Sequence, residues 1–132
     1  ELSPLGFWRL SLLTGVVWGI WHAPLIVQGH NFPDAPVAGI AVMTGWTVAA
    51  SPLFTYLTVR AGSVLAATLL HGSFNAVASL SLVYLTGAGT LLAGPVGVAG
   101  IGAALLATAA CVVHDRYVAA VRVTAGGPLE SW

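Results

Sequence analysis

Two histidines and an asparagine stand inside apolar runs where polar side chains are costly. His71-Gly-Ser-Phe-Asn75 lies in one uncharged stretch and His22 in another. Hydrocarbon penalises imidazole and amide groups unless they find partners or line a wet cavity, so polar residues at such depth mark function by default. Asn75 follows His71 by four residues, which puts both on one face of a helix. The three groups supply hydrogen-bond donors and acceptors but no strong nucleophile. That set suits stabilising a developing oxyanion or positioning a water, and it lacks a general base. Ser73 does not complete a serine-histidine pair, because two residues along a helix points it away from His71, and Gly72-Ser73-Phe74 lacks the Gly-x-Ser-x-Gly elbow. Thr68 shares the His71 face and is read as bonded to its own helix. Trp18, one turn before His22, is read as a packing neighbour.

Other chemistries are open to the same residues. A divalent metal would have His22 and His71 as ligands, but two histidines fall short of three protein ligands and no His-Glu-x-x-His is present. Haem held by His22 and His71 from neighbouring helices is a second scheme, in which Asn75 has no part. Cys111 is the sole cysteine, so no internal disulfide or cysteine metal cluster forms, and it reads as small apolar filler. A formal net charge of zero argues against a nucleic-acid partner, since such binding needs basic patches.

The elements that must position these residues are membrane helices. Hydrophobic residues make up 58% of the 132 and charged residues 6%, with a mean hydropathy of +0.92; soluble domains carry about a quarter charged residues. Four stretches are long enough to cross about 30 Å of hydrocarbon as helices: residues 10–28, 37–59, 63–85 and 91–113. The alternating polarity of a β-barrel is missing. The expected fold is therefore an all-α, polytopic transmembrane bundle forming one domain over residues 1–132, with membrane lipids as its surroundings. A cleavable signal peptide is not expected, and the start at Glu1 rather than Met predicts an excerpt of a longer protein.

Arg9 precedes the first span, Arg60 lies between the second and third, and Arg116 and Arg122 follow the fourth. The loops around 30–36 and 86–90 have no Lys or Arg, so the positive-inside rule predicts a multi-pass cell-membrane protein with both ends of this segment cytoplasmic. The tail from His114 onward carries no motif, and its arginines are expected at the headgroups. Counting from Leu10 and Ala61, His22 is about 18 Å and His71 about 15 Å along their helices. The first and third spans run in the same direction, so the two histidines can face each other at one level. Gly15-x-x-x-Gly19 and Ala41-x-x-x-Gly45-x-x-x-Ala49 permit close backbone approach, and the glycine-rich fourth span reads as packing. Pro24 and Pro52 each remove a helix donor and predict kinks, the first beside His22.

The motifs resemble those of the CAAX protease and bacteriocin-processing family of intramembrane proteases, also called the ABI family. Trp18-Gly-Ile-Trp-His22-Ala-Pro-Leu is similar to its second motif, Phe-x-x-x-His, with tryptophan in the first place. His71-Gly-Ser-Phe-Asn75 matches the third, His-x-x-x-Asn. The lead-in Arg60-Ala-Gly-Ser63-Val-Leu-Ala-Ala and the turn-rich loop from Gly29 to Pro36 are also similar to bacterial members. The first motif, Glu-Glu-x-x-x-Arg, does not occur in these residues: Glu1 has no adjacent glutamate, and Leu5 stands where arginine would be needed.

The resemblance implies an endopeptidase in which a glutamate activates water while His22, His71 and Asn75 stabilise the oxyanion, with no cofactor required and a divalent metal still possible. It implies a membrane-associated or prenylated-type peptide or protein substrate. The residues given are expected to be the C-terminal part of the protease core and to be inactive alone. A non-catalytic membrane partner or immunity-type protein is the alternative reading, because fold does not fix function.

Overall fold

A computed structural model describes residues 3–84, 89–126 and 129. Glu1, Leu85 at the end of the third expected span, most of the loop around 86–90 and much of the far tail lie outside the described residues. Those described are helical, without strands. A short 3₁₀ turn (Ser3–Leu5) leads into α1 (Gly6–Trp21), followed by α2 (Ala23–Val27), α3 (Pro36–Ala61), α4 (Val64–Tyr84), α5 (Thr90–Ala93) and α6 (Val98–Tyr117). They form four segments long and apolar enough to cross a membrane: Gly6–Val27, Pro36–Ala61, Val64–Ser81 and Thr90–Tyr117.

Two of these segments are broken where the sequence reads as continuous. The first expected span, 10–28, divides at His22, because Pro24 has no N–H for the next turn and starts α2 instead. The fourth, 91–113, divides at Gly94-Pro95-Val96-Gly97, where the Gly97 N–H turns back to Gly94 O at 2.8 Å. The kink expected at Pro52 does not interrupt α3, which runs through it as one helix.

The central element is α3, against which α1, α4 and α6 all pack. Small residues bring α1 onto it: a Cβ added to Gly15 would lie 2.7 Å from Val48 Cα, and one on Gly19 would lie 2.6 Å from Thr44 Cα. Gly45 and Ala49 serve the opposite side of α3, against α6. A Cβ on Gly45 would meet Ile101 at 3.3 Å, and Thr108 Oγ1 donates to Ala49 O at 3.0 Å. The turn from α3 to α4 needs only two residues, because Gly62 takes the left-handed conformation at φ 57°. Its N–H bonds Val59 O, and that of Ser63 bonds Thr58 O, each at 3.2 Å, the Schellman arrangement that closes a helix.

The two ends of the bundle differ in chemistry. At one end lie Arg9, Arg60, Arg116 and Arg122, together with an ion pair that the sequence does not announce. Asp115, fully buried, accepts from the Arg60 guanidinium, from the Val123 and Thr124 N–H groups at 3.0 and 2.8 Å and from Thr124 Oγ1 at 2.6 Å. The segment after α6 is thereby folded back over the bundle, where Val123 joins Phe7 and Tyr56 in a small buried cluster and Trp8 Nε1 donates to Thr124 O at 3.1 Å. The larger core, around Ile26, Phe32, Met43 and Trp46, lies toward the other end.

Candidate active site

His22 owes its position to the break between α1 and α2. Its backbone N–H bonds Gly19 O at 3.1 Å, three residues back, instead of continuing the four-residue ladder. The Trp18 carbonyl is met by the imidazole, with Nδ1 at 2.7 Å. A carbonyl only accepts, so Nδ1 carries the proton. In the neutral ring Nε2 then keeps a lone pair, and it donates only when the ring is charged.

His71 and Asn75 come from α4, whose backbone lies against α3. Phe74, between them in sequence, stacks on Trp46 with ring centroids 4.8 Å apart. This contact sets which face of α4 meets the bundle, and His71 on that helix reaches Trp18 of α1. The backbones of α1 and α4 stay apart, so the two helices meet through side chains. Trp18 fills the gap, its ring centroid 6.1 Å from His22 and 5.4 Å from His71. The packing role expected for Trp18 thus includes holding both imidazoles.

His22, His71 and Asn75 line one cavity of about 540 Å³ at the end of the bundle opposite the arginines. Its walls are mostly apolar, with Trp21, Met43 and Pro95 among them. Among the described residues no Asp or Glu lines it, and no group of three or more His, Cys, Asp or Glu side chains is placed to hold a metal. The arrangement therefore offers donors and acceptors around a space the size of a few residues of peptide, without a carboxylate base of its own. Ser73 is exposed and does not line the cavity. Thr68 Oγ1 donates to Val64 O at 3.0 Å, as expected for a helix-bonded threonine.

Three further polar residues line the cavity, His30, Asn31 and Ser79, and the first two are read in sequence only as part of a turn-rich loop. The available signal was the aromatic between them and Pro33: Phe32 is fully buried and packs so closely on Gly39 that an added Cβ there would lie 2.5 Å away. That anchor draws the loop over the cavity.

Comparison with known families now bears on this geometry. A family model described as Type II CAAX prenyl endopeptidase Rce1-like matches residues 1–77. The chain belongs to this family. The matched stretch contains His22, His71 and Asn75, while α5, α6 and the folded-back tail lie beyond it. Membership makes the chain part of a protease family, and its four apolar helices make it a multi-pass membrane protein. Comparisons with curated proteins and with solved structures give no match.

Proposed function

We propose that this chain forms part of an intramembrane endopeptidase that hydrolyses a peptide bond of a membrane-anchored or prenylated substrate, in which His71 and Asn75 stabilise the oxyanion. The observation that carries this reading is the convergence of His22, His71 and Asn75 on one cavity in a chain of the prenyl endopeptidase family. Asn75 donates through its amide and His71 through a ring N–H toward the developing negative charge. His22 differs from both, since its bond to Trp18 O leaves Nε2 as an acceptor. It orients the attacking water through that nitrogen. The base is a carboxylate, which none of the described residues lining the cavity supplies.

The contact of Trp18 with both imidazoles favours this over haem ligation, because a porphyrin between the histidines would have to displace the indole. A metal held by His22 and His71 would need a third donor. The arginine-bearing end is cytoplasmic on the positive-inside rule, which places the cavity mouth toward the other face. The test uses the full-length protein in vesicles with an internally quenched prenylated peptide. Cleavage lost in both His22→Ala and His71→Ala variants supports the reading; undiminished cleavage, or a Soret band removed by either variant, overturns it.

A further inference from the structure

The Gly29–Pro36 loop has no part in the oxyanion scheme, yet it places an amide inside the same cavity. We infer that Asn31 is a substrate-positioning residue that hydrogen-bonds a backbone peptide group of the substrate adjacent to the scissile bond, an inference that rests on the endopeptidase reading.

A peptide segment entering this cavity leaves water, and each backbone N–H and C=O that loses water without a new partner is costly. The walls offer little compensation, because Trp18, Trp21, Leu25, Met43, Trp46 and Phe74 are mostly apolar surface. His71 and Asn75 are committed to the reacting carbonyl. An asparagine amide both donates and accepts, so it can pair with the N–H and the C=O that one residue of an extended substrate presents on the same edge. Asn31 is the second asparagine of the cavity lining, and it stands on the loop between α2 and α3, an element separate from those that carry His22 and Asn75.

The backbone holds that amide in place. Asn31 has φ 62°, the one non-glycine residue with positive φ among the described residues. The Phe32 N–H closes over it onto His30 O at 2.7 Å, and the His30 N–H returns to Leu25 O at 3.1 Å. Phe32, with none of its surface exposed, then locks the turn against Gly39. Asparagine tolerates this conformation better than most residues, and glycine adopts it freely. The backbone requirement and the side-chain requirement can therefore be separated.

Asn31→Gly keeps the turn and removes the amide, whereas Asn31→Ala removes the amide and strains the turn. In full-length protein reconstituted in vesicles, cleavage of an internally quenched prenylated peptide is expected to show KM raised roughly tenfold in Asn31→Gly, with kcat within about twofold, as for lost uniform binding through one hydrogen bond. Asn31→Ala is expected to match it or be worse. Binding of the same peptide, read from quenching of the cavity tryptophans Trp18, Trp21 and Trp46, should weaken by the same factor without reference to turnover. If Asn31→Gly binds and cleaves like wild type while Asn31→Ala does not, Asn31 serves the turn alone and the inference fails. If wild type binds the peptide but does not cleave it, the endopeptidase reading fails and the binding comparison still decides Asn31. Absence of binding to wild type overturns the inference.

Discussion

Adding one methyl at Gly19 is a sensitive probe of how α1 is seated, because it acts on backbone rather than on a yielding side chain. The new Cβ of Gly19→Ala would lie 2.6 Å from Thr44 Cα and from Thr47 Oγ1, and 2.8 Å from Thr44 Oγ1. Thr47 cannot swing aside: it is fully buried, and its hydroxyl donates to Met43 O and Thr44 O at 3.1 and 2.9 Å. Carbon contacts settle at about 3.5–4.0 Å, so α1 must move off α3 by about 1 Å. Overpacking of this kind costs roughly 1–3 kcal/mol, against which alanine's better helix propensity returns at most about 1 kcal/mol. The expected net loss is about 1–2 kcal/mol. Trp18 and His22 flank the substitution, so the shift reaches the cavity directly, and a misplacement of about 1 Å can lower the rate on the order of a hundredfold. Gly72→Ala is the control, since a Cβ on that α4 glycine meets nothing within 4 Å. The assay compares SDS-induced unfolding of the full-length protein in bicelles and cleavage by the same preparations. Equal unfolding midpoints and equal rates for the two variants would refute the close approach of α1 and α3.

Other consequences can be checked independently. Asp115→Ala removes four hydrogen-bonded contacts and leaves Arg60, whose side chain is 24% exposed, without its carboxylate. Breaking a fully buried pair costs about 3–5 kcal/mol, so with one partner partly hydrated the expected loss is roughly 2–3 kcal/mol. Trypsin should also cleave after Arg122 sooner than in wild type, and unchanged proteolysis would argue that the tail is held by other contacts. For orientation, a Cys111→Ser background carrying Asp34→Cys should react with an impermeant maleimide added outside intact cells, and one carrying Ser63→Cys should not. The reverse pattern would invert the topology.

The membrane bundle was legible because four uncharged stretches have no other stable home, and Gly15-x-x-x-Gly19 pointed to the contact it makes. His22, His71 and Asn75 were legible for the same reason, as polar groups among apolar neighbours, and the structure gathers them at one cavity. What stayed hidden depends on contacts between distant parts of the chain. Asp115, between His114 and Arg116, looks like an ordinary headgroup charge until Val123 and Thr124 return to it. Asn31 looks like a turn former, and only the burial of Phe32 against Gly39 shows that its loop closes on the cavity. The break at Gly94-Pro95 was similarly masked, because a glycine-rich apolar run reads as one span whether or not its ladder is continuous.

The central claim concerns oxyanion stabilisation by the α4 pair, and a single kinetic comparison addresses it most directly. In full-length protein cleaving a quenched prenylated peptide, Asn75→Ala is expected to lower kcat on the order of 10²–10³-fold with KM nearly unchanged, while Ser73→Ala, at an exposed position off the cavity, keeps wild-type kinetics. A kcat for Asn75→Ala within a few-fold of wild type would contradict the account.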